Sequence, residues 1–330
     1  MYFSFIIPVY NRPEEVDELL ESLTKQTYKK AFEVVIVEDG SKEDSRAVVS
    51  KYEGRLEISY YYKANSGPGA SRNYGMERAK GEYFIVLDSD CIIPSNYLTI
   101  VDQYLNEEFV DCFGGPDAAL DSFSDVQKAI NYSMTSVLTT GGIRGASERI
   151  GKFQPRSFNM GISKKAFLAS GGYGKVHPGE DPDLTIRLWN LGFDTQLFSK
   201  AYVYHKRRID WQKFYIQVNK FGKARPILNQ RYPETAKITY WFPSLFMAGL
   251  LLSIIMTYFT FIFILCYIFY FLMVFLGCLI KEKNFKISLL SLVAIFIQFY
   301  GYGIGFVKSN YILFIKRQKA EVGMPEMFFK

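Results

Sequence analysis

The longest uncharged stretch of the chain runs from Ile238 to Ile280 without a single Asp, Glu, Lys or Arg. About 20 apolar residues span the hydrocarbon core of a bilayer, so this stretch is long enough for two passes. A second uncharged stretch, Ile287–Val307, is long enough for one more. Helices in the core of soluble proteins are usually much shorter. We therefore predict three membrane segments within residues 238–307.

The chain therefore divides into a globular part and a membrane part. We expect a globular domain over residues 1–210, an amphipathic helix and linker over 211–237, membrane segments over 238–307 and a basic tail over 308–330. The first residues, MYFSFIIPVY, form too short an apolar run for a secretory signal and lack its basic leading segment. We expect a multi-pass protein of the cytoplasmic (inner) membrane whose globular domain faces the cytosol.

The side of the membrane that holds the C-terminus stays open. Three passes would place it outside, but the tail Lys308–Lys330 holds five basic residues and two acidic ones, which favours the inside. Gly301, Gly303 and Gly305 also weaken the last segment as a simple helix, so a re-entrant segment is an alternative.

The positive charge of the chain is local. Its net charge is +6, and residues 205–225 carry seven Lys and Arg residues against one acid, Asp210. No nucleic-acid motif accompanies them, so we expect membrane lipids rather than nucleic acid as the partner. Apolar residues at helical spacing in Trp211–Leu228 predict an amphipathic helix in the membrane interface; a helix packed on the globular domain is the alternative.

Strands and helices alternate in the first ninety residues, which predicts an α/β domain with a mostly parallel, Rossmann-like sheet. The expected strands are Phe3–Val9, Phe32–Val37, Glu57–Tyr62 and Tyr83–Leu87. The expected helices are Pro13–Lys25, Ser45–Tyr52 and Asn65–Lys80. Ligands of such sheets bind beyond the carboxyl ends of the strands. This rule gathers Tyr10, Asn11, Asp39, Lys63 and the 88–90 turn around one crevice.

Two carboxylates follow the fourth strand in the sequence YFIVLDSD. Because alternate residues point the same way, Asp88 and Asp90 can face one side. Paired carboxylates suit a hard divalent cation such as Mg²⁺ or Mn²⁺, which could hold a diphosphate. Asp and Ser are also ordinary turn residues, so the pair alone is weak evidence.

Over residues 3–210 the chain resembles family-2 glycosyltransferases with the GT-A fold. The resemblance lies in seven features that occur in the family's order. They are IIPVYNR (Ile6–Arg12), VEDGS (Val37–Ser41), NSGPGASRNYG (Asn65–Gly75), LDSD (Leu87–Asp90), GGYG (Gly171–Gly174), GEDPDLTIRLWNLG (Gly179–Gly192) and the late His205.

The resemblance implies a nucleotide-sugar donor, expected to be UDP-linked, and a Mg²⁺ or Mn²⁺ cofactor. It implies donor contacts by Pro8, Tyr10, Asn11, Asp39, Arg72 and Asp88. It further implies that Asp90 and His205 bind the metal and that Asp181 is the general base of an inverting transfer. Asn11 and Asp39 have an alternative interpretation as caps or turn formers, and Arg72 as a solvated helix residue.

The sequence around Asp181 also predicts a helix that starts at Pro182 and stops at Gly192, with Asp181 as its N-cap. A cap carboxylate accepts hydrogen bonds from its own helix, which lowers its pKa and its basicity. Glu180, directly before it, could share the role of base. His177 is expected in a loop near the acceptor.

An interfacial helix favours a membrane-associated acceptor, a lipid-linked oligosaccharide of cell-surface polysaccharide synthesis. Direct transfer to a polyprenyl phosphate and a non-catalytic membrane scaffold are the alternatives. The QxxRW pattern of processive synthases is absent, which favours addition of one sugar. Donor specificity is expected in loops of Phe113–Arg156, where Ser147–Arg156 could close over the donor.

Overall fold

The computed structural model describes residues 1–118, 123–140, 153–205 and 210–329. These residues form two units, which are described separately. The sheet unit comprises Met1–Leu120, Ser147–Lys206 and Phe329–Lys330, and the helical unit comprises Asp121–Ala146 and Arg207–Phe328. Residues 119–122 and 141–152, which include part of the expected specificity region Phe113–Arg156 and most of the expected closing segment Ser147–Arg156, lie outside the described residues.

The described residues of the sheet unit form ten strands in two sheets. They are β1 (Phe3–Val9), β2 (Phe32–Asp39), β3 (Glu57–Lys63), β4 (Tyr83–Leu87), β5 (Cys91–Ile92), β6 (Cys112–Gly114), β7 (Asp117–Ala118), β8 (Asn159–Ser163), β9 (Thr195–Leu197) and β10 (Val203–His205). Its helices are α1 (Pro13–Thr24), α2 (Arg46–Val49), α3 (Pro68–Arg78), α4 (Tyr97–Glu107), α7 (Lys164–Ser170) and α8 (Glu180–Asn190).

The large sheet is mixed and mostly parallel, in the order β3-β2-β1-β4-β8-β6-β9. Strands β1 to β4 are mutually parallel, and β8 runs antiparallel to both of its neighbours. The small sheet has the order β5-β10-β7. The predicted α/β class and the four predicted strands are confirmed; β2 and β3 extend slightly further than expected.

The central strands form because both of their faces are covered. All five residues of β4 are buried. Along β1, Phe5 and Ile7 join one core cluster while Ile6 between them joins the cluster on the opposite face. A strand buried on both faces reads as a continuous apolar run, and its polar residues begin where it ends. The strand ends are therefore where this unit can place chemistry.

The helical unit contains the apolar part of the chain. Its helices are α5 (Asp125–Thr135), α6 (Val137–Thr140), α9 (Trp211–Arg231), α10 (Phe242–Met256), α11 (Ile262–Glu282), α12 (Phe285–Asn310) and α13 (Ala320–Gly323). Among the described residues, three helical segments are long and apolar enough to cross a membrane: Ile238–Met256, Ile262–Glu282 and Phe285–Ile315. Their number agrees with the sequence prediction.

Helix α9 packs lengthwise against α12, and glycines permit the close approach. A side-chain carbon on Gly305 would lie 2.2 Å from the backbone oxygen of Asn219, and one on Gly222 would lie 2.1 Å from that of Tyr302. The amide of Asn219 donates to the carbonyl of Gly301 at 3.0 Å. Helix α12 runs unbroken through its glycines. These glycines serve packing, as small residues do between membrane helices.

We expect Gly305→Ala to lower the stability of the full-length protein in detergent. Helix propensity alone favours alanine by about 1 kcal/mol, whereas overpacking at a backbone contact costs roughly 1–3 kcal/mol. The matched control is Gly303→Ala, because a side-chain carbon there would meet its nearest neighbour, Ser244, only at 3.2 Å. Thermal unfolding should rank Gly305→Ala well below this control. Equal or higher stability of Gly305→Ala would contradict the tight packing of α9 on α12.

Candidate active site

The turn after β4 directs its two carboxylates to different partners. Asp88 Oδ1 accepts a hydrogen bond from Arg72 Nη2 at 2.7 Å. Asp90 Oδ1 lies 3.1 Å from Nε2 of His205. His205 reaches this point because β10 pairs antiparallel with β5, which places it opposite Cys91, the residue after Asp90. The small sheet thus joins two parts of the chain that are distant in sequence.

A cation could bind where Asp90 and His205 meet. One ligand atom from each of Asp90, Cys91 and His205 lies within 4.8 Å of the others. The thiol of Cys91 is directed at the carbonyl oxygen of Phe158, 3.3 Å away, so it already has a partner. A carboxylate oxygen and an imidazole nitrogen remain; the oxygen suits Mg²⁺ or Mn²⁺, whereas the imidazole favours the transition metal Mn²⁺ over Mg²⁺. Of the two metals expected from the sequence, the donor set fits Mn²⁺ better.

Arg72 is the centre of a buried charge network. Its side chain is only 4% exposed. Besides Asp88 it contacts Glu180, with 3.4 Å between Nη1 and Oε1. Its guanidinium also lies over the ring of Tyr173 at 5.2 Å. Arg72 is therefore no solvated helix residue, and it holds the turn after β4 and the start of α8 to α3.

Asp181 does not cap its helix. Helix α8 begins at Glu180 and its N-cap is Gly179, whose φ of 138° is open to glycine but rarely to other residues. The predicted N-cap role of Asp181 is therefore wrong. Asp181 Oδ2 instead accepts from the backbone N–H of Ser157 at 3.2 Å. Its Oδ1 is buried and has no hydrogen-bond partner in the described part of the chain.

The two neighbouring acids differ in their ionisation. Burial raises the pKa of Asp181, and the charge of Glu180 raises it further; Arg72, Arg156 and the N–H of Ser157 only partly oppose this. Burial also raises the pKa of Glu180. The hydrogen bond with His177 and the charges of His177 and Arg72 outweigh this effect and lower the pKa below its usual range. The site thus holds one charged acid beside one that takes up a proton more readily.

Glu180 is less suited than Asp181 to act as the base, because its carboxylate is held by several partners and its pKa is lowered. Its Oε1 lies 2.8 Å from Nδ1 of His177, and its Oε2 accepts from the N–H of Gly179 at 2.9 Å.

The ring of Phe329 lies 5.2 Å from the ring of His177 and also contacts Gly67. Sequence reasoning did not find Phe329, since no motif surrounds it.

Asp39, at the end of β2, is held by the loop that leads into α3. Its Oδ1 accepts from the N–H of Ser66 and its Oδ2 from that of Gly67, both at 2.9 Å. Its Oδ1 also forms an ion pair with Lys63, the last residue of β3. This agrees with the grouping of Asp39 and Lys63 at one sheet edge. These hydrogen bonds also show that Asp39 stabilises the loop that leads into α3.

The end of β1 packs on the same edge. Asn11 has a positive φ of 54° and its side-chain oxygen accepts from the N–H of Lys42 at 2.8 Å. Pro8 lies in β1 beside Val37, and Tyr10 is half exposed. Asn11 therefore does act as a turn former, joining the β1 end to the turn after β2.

Arg12, just after β1, lies close enough to the turn after β4 to feel the charges of Asp88 and Asp90. Its hydrogen bond with Glu15 raises its pKa most, and the charges of Asp90 and Asp88 add to the effect. The structure therefore places Arg12, which follows β1, near the two carboxylates of the turn after β4. Of the four residues in the charge network, Arg72 and Glu180 are buried, and Asp88 and Asp181 are partly exposed.

Comparisons with known proteins agree with this architecture. The family model described as glycosyl transferase family 2 matches residues 4–167. The poly(ribitol-phosphate) beta-N-acetylglucosaminyltransferase TarS of Staphylococcus aureus is 37% identical over 114 residues, which are 34% of this chain and 20% of TarS. An uncharacterized glycosyltransferase of Haemophilus influenzae is 40% identical over 56% of this chain and 61% of its own length. The chain thus matches about a fifth of TarS and less than two thirds of the second relative.

Solved structures share the fold at low sequence identity. The mannosyltransferase PcManGT of Pyrobaculum calidifontis, in complex with GDP-Man and Mn²⁺, gives a TM-score of 0.54 at 16% identity over 68% of this chain and 64% of its own. S. aureus TarS 1-349 in complex with UDP-GlcNAc gives 0.50 at 21% identity, over 73% and 76%. At these identities the likeness is one of fold.

We expect Asp90→Ala and His205→Ala each to weaken Mn²⁺ binding about tenfold or more, because each removes a donor atom. Cys91→Ser is the matched control, since a hydroxyl can keep the hydrogen bond to Phe158. Titration of the full-length protein with Mn²⁺, followed by electron paramagnetic resonance of the free ion, measures the affinity. Unchanged binding in both Ala variants, or a loss only in Cys91→Ser, would contradict the assigned donor pair.

Proposed function

Because the chain belongs to glycosyltransferase family 2 and has the GT-A fold, we propose that it transfers one sugar, with inversion, from a UDP-sugar to a membrane-associated acceptor. The proposed acceptor is a lipid-linked oligosaccharide, at the cytosolic face of the inner membrane. The proposal for the chemistry rests on one observation, the buried and unpartnered Oδ1 of Asp181.

Asp181 is the proposed general base. A buried carboxylate oxygen without a partner is costly, and a hydroxyl group of the acceptor would supply the missing hydrogen bond. As that hydroxyl oxygen attacks the anomeric carbon, its proton passes to Oδ1, and the bond from the anomeric carbon to the diphosphate oxygen breaks on the opposite face. The raised pKa of Asp181 suits a group that must take up this proton near neutral pH.

The departing diphosphate needs positive charge beside it. Asp90 and His205 are the residues that would hold Mg²⁺ or Mn²⁺, and the bound ion would offset the charge of the diphosphate. Arg72 is already neutralised by Asp88 and Glu180, so its proposed contribution is to position these acids. Asp88 is 33% exposed and retains oxygen sites for a ribose hydroxyl.

The nucleotide is proposed to bind along Pro8, Tyr10, Asn11 and Asp39. The half-exposed ring of Tyr10 offers a surface for the ribose and base. Asp39 accepts two backbone hydrogen bonds and one from Lys63, but carboxylate oxygens have about four acceptor positions, so one from the base can be added. TarS, a relative, has been solved with UDP-GlcNAc, which supports a uridine nucleotide as the first donor to test.

A membrane acceptor is supported by the three segments long and apolar enough to span a bilayer. The test is to incubate full-length protein with a panel of nucleotide sugars, Mn²⁺ and extracted membrane lipid, and to measure nucleoside diphosphate release and the mass of the lipid product. A product with two phosphates supports a lipid-linked sugar acceptor, whereas a single phosphate assigns the alternative, polyprenyl phosphate. Transfer to soluble sugars alone would contradict both.

We expect Asp181→Asn to reduce transfer about 10²- to 10⁴-fold, because an amide cannot take the proton of the acceptor. The affinity for the donor, measured by calorimetry, should stay within about threefold, since a neutral isostere preserves the shape of the site. Asp194→Asn, at an exposed carboxylate of the sheet unit, is the matched control and should transfer normally. Full activity of Asp181→Asn would exclude this residue as the base.

We expect Glu180→Gln to shift the acidic limb of the pH–rate profile to lower pH. Its charge raises the pKa of Asp181, so removing it lowers that pKa. The base must be ionised to act, so a lower pKa keeps it active further into acid. Asp194→Asn should leave the limb in place. A shift of the Glu180→Gln limb to higher pH would contradict the coupling of the two acids.

A further inference from the structure

A groove of about 390 Å³ opens on the helical unit, where α9 gives way to α10. It is lined by Asn229, Ala236, Lys237, Ile238, Trp241 and Leu245. Its apolar wall is exposed: Ile238 is 86% exposed, Leu245 63% and Trp241 41%. None of its lining residues belongs to the proposed active site, which lies in the sheet unit.

The polar side of the groove carries unused hydrogen-bonding capacity. Asn229 Oδ1 is buried without a hydrogen-bond partner among the described residues. One helical turn earlier on α9, Nη1 of Arg225 is also buried without a hydrogen-bond partner among the described residues. The guanidinium of Arg225 is fixed by the ring of Tyr240, 4.4 Å away, and by a hydrogen bond with Tyr302. Arg225 is partly exposed and lies beside the lining residues rather than among them, and its buried Nη1 is a donor that an anion would satisfy.

The sequence around the groove is rich in cations and poor in acids. Between residues 211 and 281, Glu234 is the only Asp or Glu. Its side chain is exposed, and among the described residues it forms no ion pair with Arg225 or Lys237. In the part of the chain that the structure describes, no ion pair neutralises Lys237 at the groove or Arg225 beside it. An anionic occupant would supply the complementary charge.

The groove lies where the charged part of the sequence ends. Lys237 is the last charge before the stretch Ile238–Ile280, and Trp241 stands four residues further on. Lysine and tryptophan at the border of an apolar segment are typical of the headgroup level of a bilayer. A phosphate at that level would meet Lys237, and the attached chains would continue along Ile238 and Leu245.

We propose that this groove binds an anionic glycerophospholipid, with its phosphate between Arg225 and Lys237 and its acyl chains against Ile238, Trp241 and Leu245. Asn229 Oδ1 is an acceptor, so a headgroup that carries a hydroxyl, as in phosphatidylglycerol, fits best. This site goes beyond sugar transfer and does not rest on it. It is a lipid site of the helical unit, separate from the donor and acceptor of the reaction.

The test uses full-length protein in an uncharged detergent, titrated with phosphatidylglycerol whose acyl chains carry bromine. Bromine quenches nearby indoles, so binding is followed by the fluorescence of Trp241; Trp241→Phe identifies its share of the signal among the three tryptophans. We expect saturable quenching by phosphatidylglycerol and at least about fivefold weaker quenching by brominated phosphatidylcholine, whose choline cancels the charge. A site attraction of about 1 kcal/mol corresponds to this factor.

Lys237→Gln should weaken the lipid affinity about fivefold, and Arg225→Gln/Lys237→Gln about tenfold or more. The exposed position of Lys237 makes the single variant independent of folding. The matched control, Lys213→Gln/Lys220→Gln, removes the same charge from the same region outside the groove and should stay within twofold. Equal losses in both double variants, no loss in Lys237→Gln, or complete displacement by inorganic phosphate would each overturn the proposal.

Discussion

The structure of the candidate site depends on one buried cation. Arg72 lies on α3, at 4% exposure, and bonds Asp88 beyond β4 and Glu180 at the start of α8. A guanidinium so deeply buried must be paired, because an unpaired charge in the interior costs several kcal/mol. Because Arg72 pairs with both Asp88 and Glu180, the turn that carries Asp90 and the helix that carries Asp181 lie on either side of it. The proposed metal donors and the proposed base are thus positioned by one residue that is proposed to do no chemistry itself.

The same network separates the roles of two adjacent acids. Glu180 is tied to His177, Arg72 and the backbone of Gly179, and stays charged. Its charge and the local burial raise the pKa of Asp181, whose Oδ1 faces no donor in the described part of the chain. Sequence neighbours thereby acquire opposite properties: one acid is structural and the other is open to a proton. The function we propose uses this difference, and the match of residues 4–167 to the glycosyl transferase family 2 model is consistent with it.

Strand ends could be predicted from the sequence because a strand buried on both faces leaves a clear boundary between apolar and polar residues, as at Leu87 and Asp88. The start of α8 could not, because local signals favoured Pro182 as its first residue whereas the backbone at Gly179 begins the helix earlier. The partners of Arg72 and His205 depend on pairing between distant segments, which periodicity does not encode. Likewise, Gly305 weakened the predicted helix by propensity alone, although in the structure its missing side chain lets α9 pack against α12.

The central claim is that Arg72 holds both halves of the site together. Hydrogen–deuterium exchange of the Arg72→Lys variant tests it most directly, since lysine keeps the charge but cannot bond two acids as the planar guanidinium does. The account predicts that backbone amides of residues 88–92 and of residues 178–184 lose protection together, while those of β1 and β2 stay unchanged. Loss of protection in only one of these segments, or in neither, would contradict it.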